Sequence, residues 1–116
     1  MSGTKYKQRE IVLVPFPYSD LSRLKRRPVL IVSNDDYNQN FPDVLVCVIS
    51  TNLHQDGYSV VLSNDDLEVG ILPESSNVRA HKLFTVHQDE IVKRFSQVKS
   101  EYFEKVADKI KHLIEK

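Results

Sequence analysis

The sequence has few of the residues that hold secreted or membrane proteins together. It contains one cysteine, Cys47, which cannot form a disulfide within the chain and therefore favours a reducing compartment. Its apolar surroundings favour a packing role for the thiol. No apolar run approaches the roughly 20 residues of a membrane span, and the polar N-terminus lacks the apolar core of a signal peptide. We therefore expect a cytoplasmic protein that does not enter a membrane.

Net charge is also lacking, but the charges are unevenly distributed. The 116 residues carry 16 cationic and 16 acidic side chains. Residues 1–33 sum to +5, residues 34–77 to −8 and residues 78–116 to +3. A neutral total argues against a protein that coats nucleic acid nonspecifically, whereas a local basic patch remains compatible with a polyanionic ligand.

The hydrophobic pattern predicts one domain over residues 1–116, built from short strands and a terminal helix. We expect residues 35–43 to form a polar loop and residues 64–76 an acidic connection with room for one helical turn. Ser100 is the expected N-cap of the helix. Six apolar positions lie on one face of that helix: Tyr102, Phe103, Val106, Ile110, Leu113 and Ile114. The strands are predicted at 10–16, 28–34, 44–51, 58–63, 76–86 and 91–98. This pattern favours a small, closed, mostly antiparallel barrel.

A dense cationic loop joins the first two predicted strands. The segment "IVLVPFPYSDLSRLKRRPVLIVSN" closely resembles the N-terminal signature of the MazF/PemK toxin endoribonucleases. "VCVISTN" and "NVRAHKLFTV" resemble two later blocks of that family, in the expected order, so the resemblance covers about residues 9–98. There are two departures. Arg23 and Leu24 stand where the family has a loop glycine, and Arg9-Glu10 stands where it has Gly-Asp.

The resemblance implies an SH3-like β-barrel at about 9–98 with a C-terminal helix at about 100–115, assembled as a homodimer. It implies sequence-selective cleavage of single-stranded RNA without a metal or other cofactor. The 2′-hydroxyl attacks the phosphate, which leaves a 2′,3′-cyclic phosphate and a 5′-hydroxyl. The implied protein partner is a cognate antitoxin that covers the RNA groove.

The same resemblance assigns catalytic roles to Arg27 and to a hydroxyl at the end of the following strand. A guanidinium is chemically suited to a phosphate because its planar fork meets two oxygens and it stays charged. Pro28 restricts the backbone of Arg27 to extended angles, which helps fix the direction of its side chain. The hydroxyl is either Ser50 or Thr51, because neighbouring strand residues point to opposite faces.

Further residues are candidates for RNA binding. Tyr18 could stack on an unpaired base, and Tyr37 and Phe41 also flank the cationic loop in the sequence. His54 could assist proton transfer, because an imidazole can gain or lose a proton near neutral pH. The complete candidate set is Tyr18, Arg23, Lys25, Arg26, Asn52, His54, Arg79 and Lys82. No His or carboxylate pair has convincing metal-ligand spacing.

Two other functions fit the same resemblance. A related toxin on this barrel binds DNA gyrase and cleaves nothing, but the final "HLIEK" lacks the aromatic-glycine end associated with gyrase poisoning. The altered loop is also compatible with a family member that binds RNA or an antitoxin but cleaves RNA weakly.

Overall fold

The computed structural model of the chain describes residues 5–16 and 25–116. These residues form seven strands and two α-helices. The strands are β1 Glu10–Phe16, β2 Lys25–Ile31, β3 Asp43–Ser50, β4 Ser59–Leu62, β5 Leu67–Val69, β6 Ser76–His87 and β7 Lys93–Val98. The helices are α1 Asp35–Asn40 and α2 Ser100–Ile114, and short 3₁₀ turns span Asn64–Asp66 and Gln88–Glu90.

The seven strands form one antiparallel sheet in the order β4-β6-β3-β2-β1-β7-β5. In a flat sheet the edge strands β4 and β5 would lie about 29 Å apart, at roughly 4.8 Å per strand. Yet only residues 63–66 separate Leu62 of β4 from Leu67 of β5, and five Cα steps reach at most about 18 Å. The sheet must therefore curl. The predicted fold class, a mainly β small barrel with a C-terminal helix, is confirmed.

Alternating side chains give the sheet two apolar faces. The face that packs against α2, here called the helix face, buries Ile11, Leu30, Cys47, Ile49, Leu62, Leu67, Leu72, Val78, Ala80, Val98, Tyr102 and Val106. The second face buries Val12, Val14, Val29, Ile31, Val44, Val46, Val86 and Ile91. The strand sequences are apolar at consecutive positions because both faces are covered.

Helix α2 is held to the sheet by its first two turns. Tyr102 and Val106 are buried, and the Tyr102 hydroxyl donates to the Val60 carbonyl over 2.8 Å. The predicted apolar face is right for these residues and wrong for the last turn, where Ile114 is 77% exposed. The N-cap is Lys99 rather than Ser100, because Lys99 is extended and Ser100 already belongs to the helix. None of the helices in the described ranges is long and apolar enough to cross a bilayer.

Two predicted loops contain regular structure. Residues 35–40 form α1, whose N-terminus is capped by the Asn34 side chain accepting from the backbone N–H of Tyr37 at 2.8 Å. Asp35 and Asp36 then occupy the first turn, where acidic residues stabilise a helix. The acidic connection contains β5, and β2 begins at Lys25, three residues before the predicted start.

Candidate active site

The sheet register brings Arg27 and Ser50 to the same level. β2 and β3 pair from Ile31–Val46 to Val29–Val48, and the same register extended by two residues sets Arg27 against Ser50. Both lie on the second face, since every other residue of a strand points the same way. Ser50 in turn pairs with Asn77 of β6. A row of side chains thus crosses three strands, and this row is the candidate active site.

Arg27 presents a cation at one end of the row. It pairs with Val14 of β1, and its side chain is exposed. Within the described ranges no hydrogen bond or ion pair joins its guanidinium to another side chain. Arg26 is also exposed but points to the helix face, because neighbours on a strand alternate. The two arginines are therefore not equivalent.

The Ser50 hydroxyl shapes the turn that follows β3. Its Oγ accepts from the backbone N–H of Asn52 at 3.1 Å and donates to the Asn52 carbonyl over 3.4 Å. Thr51 lies beyond the last residue of β3 and is exposed. Of the two candidate hydroxyls, only that of Ser50 belongs to the strand residue opposite Arg27.

Asn77 holds this turn from the neighbouring strand. Its side-chain Nδ2 donates to the carbonyls of Ser50 at 2.9 Å and Asn52 at 2.7 Å. Asn77 is only 1% exposed, and its Oδ1 is buried without a hydrogen-bond partner among the described residues. Sequence reasoning missed this residue, because "SNVRA" predicts a strand without indicating which turn lies beside it.

The loop after the turn is fastened to β6 by Asp56. Its carboxylate lies 3.1 Å from Nη2 of Arg79 and 3.6 Å from Nε2 of His81. It also accepts from the backbone N–H of Tyr58 at 3.0 Å and from the Ser59 hydroxyl at 3.3 Å. The hydrogen bond from Tyr58 is the main reason that the pKa of Asp56 lies well below its usual value, and the Arg79 guanidinium lowers it further.

This loop anchor changes the expected role of Arg79. The sequence predicts an RNA contact, and the pairing of Arg79 with Val48 does place it on the second face. Its guanidinium is nevertheless engaged by Asp56 and approaches His81 Nε2 at 3.4 Å. Asp56 was not predicted, although "QDG" is a recognisable turn signal and Gly57 has a positive φ of 85°.

The other candidate residues are dispersed. Asn52 and Lys82 are exposed, and His54 is half-buried in the loop after β3. Tyr18, Arg23 and the side chain of Lys25 lie outside the described part of the chain.

Tyr37 and Phe41 stack with ring centroids 4.5 Å apart, but not beside Arg27. The Tyr37 hydroxyl donates to Asp43, the first residue of β3, over 2.7 Å. Ser50 ends that strand, about 23 Å away at roughly 3.3 Å per residue. These rings therefore lie far from Ser50, and the segment 17–24 of the cationic loop lies outside the described residues. Within the described ranges no group of three or more His, Cys, Asp or Glu side chains could hold a metal ion.

Comparison with known proteins relates this architecture to a toxin family. The model of the family described as PemK-like, MazF-like toxin of type II toxin–antitoxin system matches residues 7–114. No match was found among curated proteins.

Several solved structures share the fold. An endoribonuclease in complex with its cognate antitoxin, from a mycobacterial species, has a TM-score of 0.74 and 20% identity, over 92% of each chain. A MazE–MazF structure from Deinococcus radiodurans has a TM-score of 0.77 and 17% identity, over 94% of this chain and 95% of the other. The toxin MazF-mt6 of Mycobacterium tuberculosis has a TM-score of 0.73 and 18% identity, over 90% and 94%. At these identities the similarity establishes the fold.

Proposed function

Because this chain belongs to the family of PemK-like, MazF-like toxins of type II toxin–antitoxin systems, we propose that it is an endoribonuclease acting on single-stranded RNA. The observation that carries the proposal is the β2–β3 pairing up to Val29 and Val48, whose register, extended by two residues, sets Arg27 against Ser50 on one face. Two structural neighbours, one of them bound to its antitoxin, are described as endoribonucleases, which supports the same activity.

The proposed reaction uses the RNA itself as the nucleophile. The 2′-oxygen bonds to the adjacent phosphorus, the bond from phosphorus to the 5′-oxygen breaks, and a 2′,3′-cyclic phosphate remains. The proton leaves the 2′-hydroxyl and a proton is supplied to the departing 5′-oxygen. His54, half-buried four residues after Ser50, is the candidate for proton transfer.

Arg27 would stabilise the extra negative charge of the pentavalent phosphorus. A guanidinium can donate two parallel hydrogen bonds to phosphate oxygens, and its charge does not depend on a metal. The exposed side chain of Arg27 is available for this, and Pro28 limits its backbone to extended angles. This is the basis for proposing metal-independent cleavage.

Ser50 would hold the phosphate and orient the 2′-oxygen. Its hydroxyl proton is held only by the long 3.4 Å contact to the Asn52 carbonyl, so turning it toward a phosphate oxygen costs little. The 2.9–3.1 Å hydrogen bonds around the turn keep the oxygen itself in place.

We also propose a homodimer and a cognate antitoxin as partners. The family is one of toxin–antitoxin systems, and structural neighbours include a toxin bound to its antitoxin. Two apolar side chains lie close to the site: Val61, which pairs with Asn77, is 64% exposed, and Leu53, next to Asn52, is 68% exposed. A protein that covered the site would remove both from water.

The proposal is tested with purified, antitoxin-free protein, a long mixed-sequence RNA and EDTA throughout. Fragment 5′-ends are mapped, and the 3′-ends are tested for cyclic phosphate. Arg26→Ala is the matched control for Arg27→Ala, because both remove an exposed arginine from adjacent positions on opposite faces of β2. We expect discrete cuts bearing 5′-hydroxyls, with a rate about 10²- to 10³-fold lower in Arg27→Ala and a much smaller loss in Arg26→Ala.

Intact RNA in the presence of folded protein would overturn the proposed activity. Supercoiling by DNA gyrase with this protein added would then test the alternative function on the same barrel. If Arg27→Ala cleaved RNA at the parent rate, the protein would still be a nuclease, but Arg27 would have no role in its mechanism.

A further inference from the structure

We propose that Asn77 is a positioning residue that sets the Ser50 hydroxyl for RNA cleavage. This inference rests on the proposed function, and it assigns a role to a residue that the sequence does not single out. Asn77 does not need to touch RNA, since it is 1% exposed. It acts through the turn that follows β3.

The side-chain amide of Asn77 connects both ends of that turn. The Nδ2 group has two protons, and the two carbonyls of Ser50 and Asn52 accept them at 2.9 and 2.7 Å. The residue between them is Thr51, so the three-residue segment 50–52 at the end of β3 is held at both ends by one side chain. The backbone of Ser50, the last residue of β3, is therefore held by the side chain of Asn77 as well as by the pairing of β3 with β6.

Asn77 also affects the freedom of the Ser50 proton. The Asn52 carbonyl takes its short hydrogen bond from Asn77 and only a 3.4 Å contact from Ser50 Oγ. Without Asn77, the Ser50 hydroxyl would be the remaining donor to that carbonyl among the described residues, and its proton would be drawn toward it. By satisfying the carbonyl, Asn77 leaves the Ser50 proton free to turn toward a phosphate oxygen.

The orientation of the amide supports a dedicated role. Asn77 Oδ1 is buried and accepts no hydrogen bond from residues 5–16 or 25–116, which costs stability. Reversing the amide would place that oxygen against two carbonyl oxygens and would lose both hydrogen bonds. In the observed orientation both Nδ2 protons are donated to the turn, and the Oδ1 acceptor is the atom left unpaired among the described residues.

Asn38 provides a matched control elsewhere in the fold. It is fully buried, and its Nδ2 also donates to a backbone carbonyl, that of Ser33, at 3.0 Å. It belongs to α1, which follows β2, whereas Arg27 lies near the start of β2. Asn38→Ala therefore reproduces the loss of a buried, turn-bracing amide without touching the Ser50 turn.

The experiment measures steady-state RNA cleavage by the full chain carrying Asn77→Ala, Ser50→Ala, both substitutions, or Asn38→Ala. We expect Asn77→Ala to lower kcat about 10- to 100-fold, because small misplacements of a reacting group are costly, with KM nearly unchanged. In the Ser50→Ala background Asn77→Ala should cost little more, since both act through one hydroxyl. Asn38→Ala should reduce stability and leave kcat near the parent value.

Hydrogen exchange of the amides at 50–53 provides a readout that does not need RNA. These amides should exchange faster in Asn77→Ala and at the parent rate in Asn38→Ala. If Asn77→Ala does not fold, Asn77→Thr replaces it, because threonine suits a strand and cannot reach both carbonyls.

The outcomes separate this inference from the proposed function. The positioning role would be overturned if the separate losses of kcat in Asn77→Ala and Ser50→Ala multiplied in the double variant. It would also be overturned if Asn38→Ala lowered kcat as much as Asn77→Ala does. Neither result would contradict the nuclease activity. Unchanged exchange at 50–53 would overturn the positioning role as well. A parent protein that does not cut RNA would overturn the proposed function and any role for Asn77 in cleavage, even if faster exchange showed that Asn77 braces the turn.

Discussion

Extended by two residues beyond the Val29–Val48 pair, the β2–β3 register sets Arg27 against Ser50 on the sheet face opposite α2. Their side chains are far apart in sequence, and the register of two apolar strands brings them to one level. The register is rigid because Val29 and Val48, the pair beside them, belong to strands packed on both faces. A shift by one residue would move every side chain to the other face, so the site depends on the core as much as on its own residues.

The two hydroxyls at the end of β3 should respond differently to substitution. Ser50→Ala removes the hydroxyl opposite Arg27, and we expect RNA cleavage to fall about 10²-fold. Thr51→Ala removes an exposed hydroxyl beyond the strand and should leave most of the activity. The measurement is single-turnover cleavage of a short RNA containing the mapped site.

Ser50→Thr serves as the control, since it retains a hydroxyl at the same position and should retain activity. A larger loss in Thr51→Ala than in Ser50→Ala would show that the turn rearranges when RNA binds and that Thr51 supplies the hydroxyl.

The strands could be predicted because their apolar residues are continuous and bounded by turn residues. "VLVCVIS" illustrates this, since it is buried on both faces and lies within one residue of its predicted limits. The short helix α1 was missed because its signal is its cap. Asn34 followed by two aspartates stabilises a helix N-terminus, but the segment buries only Asn38 and so has no apolar period.

The site was only partly predictable for a different reason. Arg27, Ser50 and Thr51 are identified by a local motif, whereas Asn77 braces the Ser50 turn from β6 and Asp56 ties the following loop to Arg79. Such contacts depend on strand register and on a bulge in β6 between Arg79 and Leu83. A single sequence does not specify these long-range features.

Acid should weaken the attachment of the loop that follows the Ser50 turn. The pKa of Asp56 is lowered in the folded protein, first by the Tyr58 N–H and then by Arg79. Asp56 therefore contributes stability above the unfolded pKa of about 3.9, and that contribution is lost as the pH falls below it. Asp56→Asn should be less stable than the parent at neutral pH, and this difference should shrink below about pH 4.

Urea unfolding of the parent and of Asp56→Asn over a series of pH values provides the measurement. Asp65→Asn is the control, because Asp65 is exposed and forms no ion pair with a described residue. A difference between the parent and Asp56→Asn that stays constant with pH would contradict the ionic contribution of Asp56.

Cys47 should be chemically inert in the folded protein. It is fully buried, and burial raises the pKa of its thiol to about 12. The thiolate is the reactive species, so a disulfide reagent at mildly alkaline pH should react slowly with the native chain and rapidly after unfolding. Fast, stoichiometric labelling of the native protein would show that β3 opens readily.

At position 9 the glycine variant should be more stable than the alanine variant, which reverses the usual order of the two residues. It has a positive φ of 80°, a conformation that costs a side chain about 1–2 kcal/mol, at the position where the resembled family carries glycine. Its Nη1 donates to the Val98 carbonyl at 2.7 Å and lies 3.7 Å from Glu68. Arg9→Ala loses these contacts and keeps the strain, whereas Arg9→Gly loses them but relieves it. We expect the glycine variant to be more stable than the alanine variant by about 1 kcal/mol in urea unfolding, although alanine is normally preferred within strands. Equal stability of the two variants would mean that the backbone at Arg9 relaxes without cost.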